Sequence, residues 1–323
     1  MGQLIKLQDY VSRYEQDIFL YPSRFVRLKT QQWDKWKRAW ENGESLQESL
    51  QERVETSAVP EWYEEEKEPF FTRIKDLFKR GKEGEEEKAF KEVTTSTLSF
   101  SPSLPIQPDT LDELKRSFLE QLYTFQLKWA TTTIAEQSFI DKSYYEDERL
   151  KYFLQRFPDT YLVLYQPIFL LKTAPVEVEI ILITPTEVWC ITFLEEEDRA
   201  VFVGSNEHFW LKRNQEQEQK VLNPLIALNR TEKVTKNILN HYEIELPIHK
   251  AVLTRNGYID YPSAPYDTKF IERRNYEQWF QNMRSQRSPL KHIQLKAAQA
   301  LLNYCQTTSV RRPEWDVESE QEY

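Results

Sequence analysis

The chain has 323 residues, 14% of them aromatic, only six glycines, and a formal net charge of −9. This length suffices for one large domain or two ordinary ones. The acidic balance argues against broad, sequence-blind binding to a phosphate backbone, which usually needs a basic face, and leaves room only for a local basic strip.

Cysteine use and hydropathy bear on location. The two cysteines, Cys190 and Cys305, are too few for a disulfide framework, which fits a reducing cytosol. No apolar run approaches the ~18 residues of a membrane helix. The N-terminal residues carry charges throughout and lack the apolar stretch of a signal peptide. The sequence therefore predicts a cytoplasmic protein without a membrane partner.

Residues 1–93 are predicted to form a helical, charged N-terminal region. Three tryptophans in it, Trp33, Trp36 and Trp40, repeat at three and four residues and so line one helix face. This spacing favours packing in a core. Basic residues lie between them, however, and aromatic rings among cations also suit single-stranded nucleic acid.

The next segments differ in composition. Residues 94–110 are rich in Ser, Thr and Pro and are predicted to be a linker. Residues 111–141 are predicted to form connecting helices, which begin at a capping box of Thr110 and Glu113. A further helix is predicted over 142–156.

After residue 160 the apolar pattern becomes that of strands. The turn at 184–187 predicts a hairpin over 176–194, and a shorter hairpin follows. Asn223, followed by proline, is a helix cap. The remaining predictions are strands at 161–165, 168–171 and 250–254, helices at 224–240, 274–284 and 289–304, and a polar tail at 307–323. The pattern is typical of an α/β (α+β) protein.

The hairpin over 176–194 resembles the core of the nuclease-related (NERD) domain, a branch of the PD-(D/E)xK nuclease superfamily. Asp147 and Glu179 stand where that family carries acidic residues, and Trp210 agrees in order and spacing. The resemblance implies a restriction-endonuclease-like mixed sheet flanked by helices over 142–306. The helical region before it is similar to that of bacterial proteins that carry this domain.

The resemblance breaks at the motif that carries the chemistry. The family's Glu-x-Lys binds a divalent metal ion and polarises water, and both side chains share one strand face. Here Thr192 and Leu194 occupy those positions. The leading hypothesis is therefore a catalytically inactive nuclease-like domain, a pseudoenzyme without a cofactor, that binds a protein or a nucleic acid.

Two alternatives stay open. The first is a divergent nuclease with relocated ligands, in which Glu179 and Glu197 hold Mg²⁺ or Mn²⁺ beside Arg199. The second makes the helical N-terminal region the interaction module. The candidate binding residues are aromatic: Trp33, Trp36, Trp40 and Trp210. The four histidines are scattered along the chain, and no pair has metal-ligand spacing.

Overall fold

The computed structural model describes most of the chain. The described residues are 1–43, 108–172, 174–195, 198–214, 217–286 and 288–312. The chain forms two compact units, residues 1–26 with 126–323, and residues 27–125. Most of the predicted linker at 94–110 lies outside the described residues, and the predicted domain boundaries stay a prediction. Helices and mixed sheets together confirm the α/β (α+β) class.

The larger unit contains helices separated by runs of several consecutive strands. The helices of the described residues are α1 (Tyr21–Glu41), α2 (Leu111–Ala130), α3 (Ser143–Glu146), α4 (Glu148–Arg156), α5 (Pro224–His241), α6 (Tyr276–Ser285) and α7 (His292–Leu302). The strands are β1 (Gln3–Leu7), β2 (Glu136–Gln137), β3 (Leu162–Tyr165), β4 (Ile168–Leu171), β5 (Ala174–Glu177), β6 (Ile180–Ile183), β7 (Val188–Phe193), β8 (Val201–Val203), β9 (Phe209–Asn214), β10 (Gln217–Leu222), β11 (Ile248–Leu253), β12 (Tyr258–Asp260), β13 (Thr268–Ile271) and β14 (Val310–Arg311).

A six-stranded sheet in the order β1-β3-β6-β7-β11-β13 is the centre of the larger unit. β1 is parallel to β3, and β7, β11 and β13 are parallel to one another. β6 is antiparallel to both of its neighbours, β3 and β7. Five strands therefore run in one direction, and their last residues meet at one edge. We call this edge the carboxyl edge; it is marked by Leu7, Tyr165, Phe193, Leu253 and Ile271.

The β6–β7 hairpin confirms the predicted hairpin, with shorter strands. All four residues of β6 are buried, as is most of β7. The Thr184 hydroxyl accepts a hydrogen bond from the Glu187 amide at 3.1 Å and donates one to the Glu187 carbonyl at 3.0 Å. The Thr184 side chain thus closes the turn by hydrogen-bonding to the backbone of a residue three positions later.

Helices cover both faces of this sheet. Helix α5 packs on β7 and β11, and α7 packs on β6 and α5. Asn223 caps α5 as predicted, because its side chain accepts from the Leu225 amide at 3.0 Å. The other face is covered by aromatic residues of α4 and α6. Its closely spaced rings belong to Tyr152, Phe153, Phe157, Phe193 and Phe280.

A second sheet has the order β10-β9-β8-β12. The predicted short hairpin is confirmed as β8 and β9, which are antiparallel. β10 extends this hairpin beyond the prediction and lies at the end of the sheet. Two further two-stranded sheets, β14-β2 and β4-β5, complete the strands of the described residues.

Some local predictions differ from the structure. The connecting helices predicted over 111–141 are the single helix α2, which ends at Ala130, and residues 136–137 form β2. Residues 3–7 form a fully buried strand where a helix was predicted, and Lys6 within it pairs with Glu15 and Thr307. The predicted helix over 142–156 is two helices, because Asp147 has an extended backbone and caps the second one. In the smaller unit, the predicted capping box is confirmed: the Glu113 amide donates to the Thr110 hydroxyl at 3.2 Å.

Candidate active site

Glu179 lies at the carboxyl edge, directly before β6, because β6 runs against the other five strands. Its backbone amide donates to the Thr231 hydroxyl at 2.9 Å, and that hydroxyl donates to the Ala227 carbonyl at 2.9 Å. Helix α5 therefore fixes the start of β6. Ligands of open α/β sheets bind outside the carboxyl ends of the strands, which makes this edge the first place to look for a site.

The pKa of the Glu179 carboxyl is raised above its ordinary value, mainly because burial disfavours the charged form. A hydrogen bond with Thr192 and the nearby guanidinium groups of Arg230 and Arg149 act in the opposite direction, whereas Glu177 adds to the increase. A carboxyl with a raised pKa among specific charged neighbours is typical of functional sites.

Two arginines supply positive charge around Glu179. Arg149 belongs to the first turn of α4, and its guanidinium donates to the Glu195 carbonyl at 3.2 Å and lies 5.5 Å from the centre of the Phe193 ring. Arg230 lies on α5, and both arginines are exposed to solvent. Guanidinium groups bind phosphate oxygens in two-point geometry, so this edge can receive an anionic group beside Glu179.

Asp147 lies in the same region but has a structural role. One carboxylate oxygen accepts from the amides of Arg149 and Leu150 at 2.8 and 3.0 Å, which caps α4. The other oxygen accepts from the Tyr165 hydroxyl at 2.7 Å. Fixed donors therefore engage both oxygens, and Asp147 anchors the helix that carries Arg149.

The two positions that replace Glu-x-Lys are buried. Thr192 is 5% exposed and hydrogen-bonds to Glu179, while Leu194 is 8% exposed and packs with Cys190 and Phe202. β7 therefore contributes a hydroxyl and an apolar contact, and no second charge.

The predicted metal site is only partly covered by the structure, since Glu197 lies outside the described residues. Among the residues that are described, no group of three or more His, Cys, Asp or Glu side chains is placed to hold a metal ion. The proposed pairing of Glu179 with Glu197 stays a prediction.

Next to this site, Glu195 and Arg255 form a bidentate ion pair. The Arg255 guanidinium donates to the two Glu195 oxygens at 2.6 and 2.8 Å and lies 4.6 Å from the centre of the Tyr152 ring. Arg149 donates to the Glu195 carbonyl, so the ion pair between Glu195 and Arg255 also holds the hydrogen-bond acceptor of Arg149 in place.

The opposite edge of the sheet carries a pair that the sequence did not predict. His249 Nε2 lies 2.9 Å from Glu187 Oε2, and the Trp189 indole donates to Glu187 Oε1 at 2.9 Å. The β7–β11 register sets His249 beside Trp189, and Lys269 Nζ lies 4.5 Å from the centre of the Trp189 ring. The pair depends on sheet register between distant segments, so no local spacing signals it.

The predicted binding tryptophans lie in packed surroundings. Trp36 is 0% exposed, and both it and Trp33 pack edge-on against Phe118, with ring centres 5.4 and 5.2 Å apart. The Trp40 indole donates to the Pro108 carbonyl at 2.8 Å. Trp210 is also 0% exposed, and its indole donates to a backbone carbonyl at 2.9 Å. The rings of Trp36 and Trp210 are thus closed to a ligand.

Part of the chain is similar to a known protein. The chain is 37% identical over 130 residues to an RNA 2',3'-cyclic phosphodiesterase of Geobacillus stearothermophilus. The match covers 39% of this chain and 36% of that relative, so the chain spans little more than a third of the relative's length. No protein-family model and no solved structure matches the chain.

These findings correct the expectations drawn from the NERD resemblance. No family model supports a nuclease-related or PD-(D/E)xK domain, and the relative that is found bears the name of an RNA phosphodiesterase. The prediction of an inactive nuclease-like binding protein is therefore wrong, and neither alternative to it is favoured. Strand order and apolar pattern misled the assignment because unrelated α/β folds share them. Within the described residues, no helix is both long and apolar enough to cross a membrane.

Proposed function

We propose that this chain hydrolyses the 2',3'-cyclic phosphate at the end of an RNA strand, with Glu179 as general base. The observation that carries the proposal is the partly buried Glu179 carboxyl, whose pKa is raised and which has Arg149 and Arg230 as charged neighbours. The name of the partial relative supplies the substrate class. A cytoplasmic location would agree with an RNA substrate.

The chemistry requires few groups. The Glu179 carboxylate takes a proton from water, and the water oxygen attacks phosphorus. The bond from phosphorus to one of the two ribose oxygens breaks, and that oxygen takes a proton from solvent. The product is a phosphate monoester. A raised pKa makes the carboxylate a stronger base near neutral pH, because proton transfer is most efficient when the base pKa approaches the working pH.

The arginines fit the charge of this substrate. The cyclic phosphate is an anion, and negative charge on its outer oxygens increases as water attacks. Guanidinium groups placed around phosphate stabilise that charge before the reaction begins. Arg149 is oriented by its bond to the Glu195 carbonyl, whereas the exposed Arg230 on α5 can move toward the ligand.

The test is direct hydrolysis of a short RNA that ends in a 2',3'-cyclic phosphate. The product is detected as a phosphate that becomes sensitive to alkaline phosphatase. We expect turnover by the wild type and a loss of about 100-fold or more in Glu179→Gln, the range found for general bases. A wild type without activity, or a fully active Glu179→Gln, contradicts the proposal.

Glu187→Gln is the matched control, since it makes the same carboxyl-to-amide change at the opposite edge of the sheet, at another carboxyl that directly precedes a strand. His249→Asn is added as a second control, because histidine is the commonest general base in enzymes. Both variants are expected to keep wild-type turnover. If His249→Asn loses activity while Glu179→Gln keeps it, the reaction belongs to the opposite edge.

A further inference from the structure

Strand β10, residues Gln217–Leu222, is one of the two end strands of the four-stranded sheet, has a strand partner on one side only among the described residues, and lies outside the proposed active site. Gln217, Glu218, Gln219 and Lys220 are all exposed. β10 pairs with β9 on one side, and β9 pairs in turn with β8. A sheet edge leaves a row of backbone N–H and C=O groups without strand partners, and such a row can accept another strand.

The pairing with β9 decides which backbone groups face outward. Asn214 and Gln217 are partners in the register and are separated by two residues, the spacing of a hairpin whose closing pair exchanges backbone hydrogen bonds. Hydrogen-bonded positions alternate along an antiparallel pair. Gln217, Gln219 and Val221 therefore bond toward β9. The backbone groups of Glu218 and Lys220 face the free edge.

Two copies of β10 can pair antiparallel in few ways, because only residues that face outward can form hydrogen-bonded pairs. A pairing centred on Glu218 brings two glutamates face to face, and one centred on Lys220 brings two lysines face to face. A pairing centred on Gln219 sets Glu218 of each copy opposite Lys220 of the other. Opposite charges across strands stabilise a pair, and like charges directly opposite destabilise it.

The neighbouring strand extends this charge pattern. The Arg213 guanidinium on β9 lies 2.7 Å from Glu218 and is its register partner. Lys220 stands opposite Leu211 and makes no ion pair with any residue of the described part of the chain. In the pairing centred on Gln219, Glu218 would lie between Arg213 of its own copy and Lys220 of the second copy. Positive and negative charges would then alternate across three strands, and Leu211 of the second copy would stand at the same level on the fourth.

We propose that two copies of this chain associate through β10, in the antiparallel register centred on Gln219. The occupant of this edge is a second copy, because the edge is charge-complementary to itself in that register. Exposed apolar residues near the end of the strand, Phe209 at 48% and Leu222 at 52%, can add contact area. A contact of one strand from each copy is small, so the dimer is weak and depends on concentration.

Sedimentation equilibrium at low salt tests the register by charge exchange. The wild type is expected to dimerise with a dissociation constant in the range of about 10 to 100 μM. Glu218→Lys places two lysine pairs across the interface, and Lys220→Glu places two glutamate pairs. Each single variant should weaken self-association at least about tenfold.

The two single variants are then mixed in equal amounts. Lysine at 218 in one variant meets glutamate at 220 in the other, while the second pair keeps its native charges. The mixture should therefore form a heterodimer with about the wild-type dissociation constant. The double variant Glu218→Lys/Lys220→Glu restores opposite charges in both pairs across the interface and should associate more tightly than either single variant. These outcomes do not depend on any enzymatic activity.

Lys236→Glu is the matched control, since it makes the same charge change on an exposed residue of α5. It should leave the dissociation constant unchanged. A wild type that stays monomeric throughout the concentration range overturns the proposal. So does a dimer that ignores the single charge reversals, or a mixture that fails to regain association.

Discussion

Glu179 and Glu187 occupy equivalent places at opposite ends of one hairpin, and they differ in what surrounds them. Each directly precedes a strand, β6 or β7. Fixed donors engage both oxygens of Glu187, the Trp189 indole and the His249 ring. Glu179 is held by a hydroxyl from Thr192, and burial raises its pKa. A carboxylate such as Glu187, whose two oxygens both contact fixed donors, stabilises the structure. A buried carboxylate such as Glu179, with mobile arginine side chains nearby, can take part in a reaction.

Removing both cations from the carboxyl edge should have the largest effect. The double variant Arg149→Gln/Arg230→Gln is expected to lose about 100-fold in kcat/KM for a cyclic-phosphate RNA, because each charge-assisted hydrogen bond to phosphate contributes about 1.5–3 kcal/mol. Steady-state kinetics measure this loss. Arg284→Gln, which removes a guanidinium stacked on Phe280 of α6, should keep full activity. Equal activity of the double variant and the wild type would remove the arginines from the mechanism.

Replacing Asp147 tests whether a carboxylate at the carboxyl edge, with hydrogen bonds to both of its oxygens, contributes to the stability of the fold. Asp147→Ala removes the cap of α4 and leaves the Tyr165 hydroxyl without this acceptor, so unfolding should cost about 1–2 kcal/mol less than in the wild type. Urea unfolding measures the difference. Asp260→Ala, at an exposed position of β12, should change stability by less than about 0.5 kcal/mol. Similar values for the two variants would contradict the capping role.

Glu179→Gln, which is expected to lower turnover, should at the same time stabilise the fold at neutral pH. Because the pKa of Glu179 is higher in the folded state, that state binds more protons than the unfolded chain between the two pKa values. The free energy of unfolding of the wild type therefore falls as pH rises through this window. That of Glu179→Gln does not fall for this reason, because the amide does not ionise. At neutral pH, Glu179→Gln should therefore have a higher Tm than the wild type.

The same comparison at low pH provides the control for Glu179→Gln. Below the pKa of the unfolded chain, both states of the wild type are protonated at this position, so the advantage of the amide should disappear. Thermal unfolding of both proteins at several pH values measures it. An advantage that persists in acid would show that packing, and not ionisation, distinguishes the two side chains.

His249 should give the smallest effect. His249→Gln removes the 2.9 Å contact between the imidazole and the Glu187 carboxylate at a partly exposed position, where such contacts contribute about 0–1 kcal/mol. Unfolding by urea should show a loss in that range, and phosphodiesterase activity should not change. A tenfold loss of activity without a loss of stability would transfer the catalytic role to this edge.

Much of the fold could be predicted because its signals are local. Asn223 before a proline predicted the start of α5, and Thr110 with Glu113 predicted the start of α2. The turn after Ile183 predicted the β6–β7 hairpin. The sequence did not predict β1, because this strand contains a lysine and a lysine side chain is expected to be exposed. In the folded chain Lys6 is buried through its pairing with Glu15 and Thr307, and that pairing is a tertiary contact.

The candidate site could be predicted only in part. Glu179 was found as an acidic residue before an apolar strand, and its neighbours were not. Arg149 and Arg230 belong to different helices and reach Glu179 only after the sheet has formed. Arg149 could have been suspected, because it follows the helix cap Asp147 by two residues. The Glu187–His249 pair depends on the β7–β11 register, which no local pattern encodes.

Titration of Glu179 tests the central claim most directly. The carboxyl is followed by carbon-13 NMR, and comparison with Glu179→Gln identifies its signal. The account predicts a pKa above the ordinary glutamate value of about 4.3, and a further increase when a 2',3'-cyclic mononucleotide is added, because a bound anion disfavours a second negative charge. An ordinary pKa that the cyclic nucleotide leaves unchanged would contradict a phosphate site at Glu179.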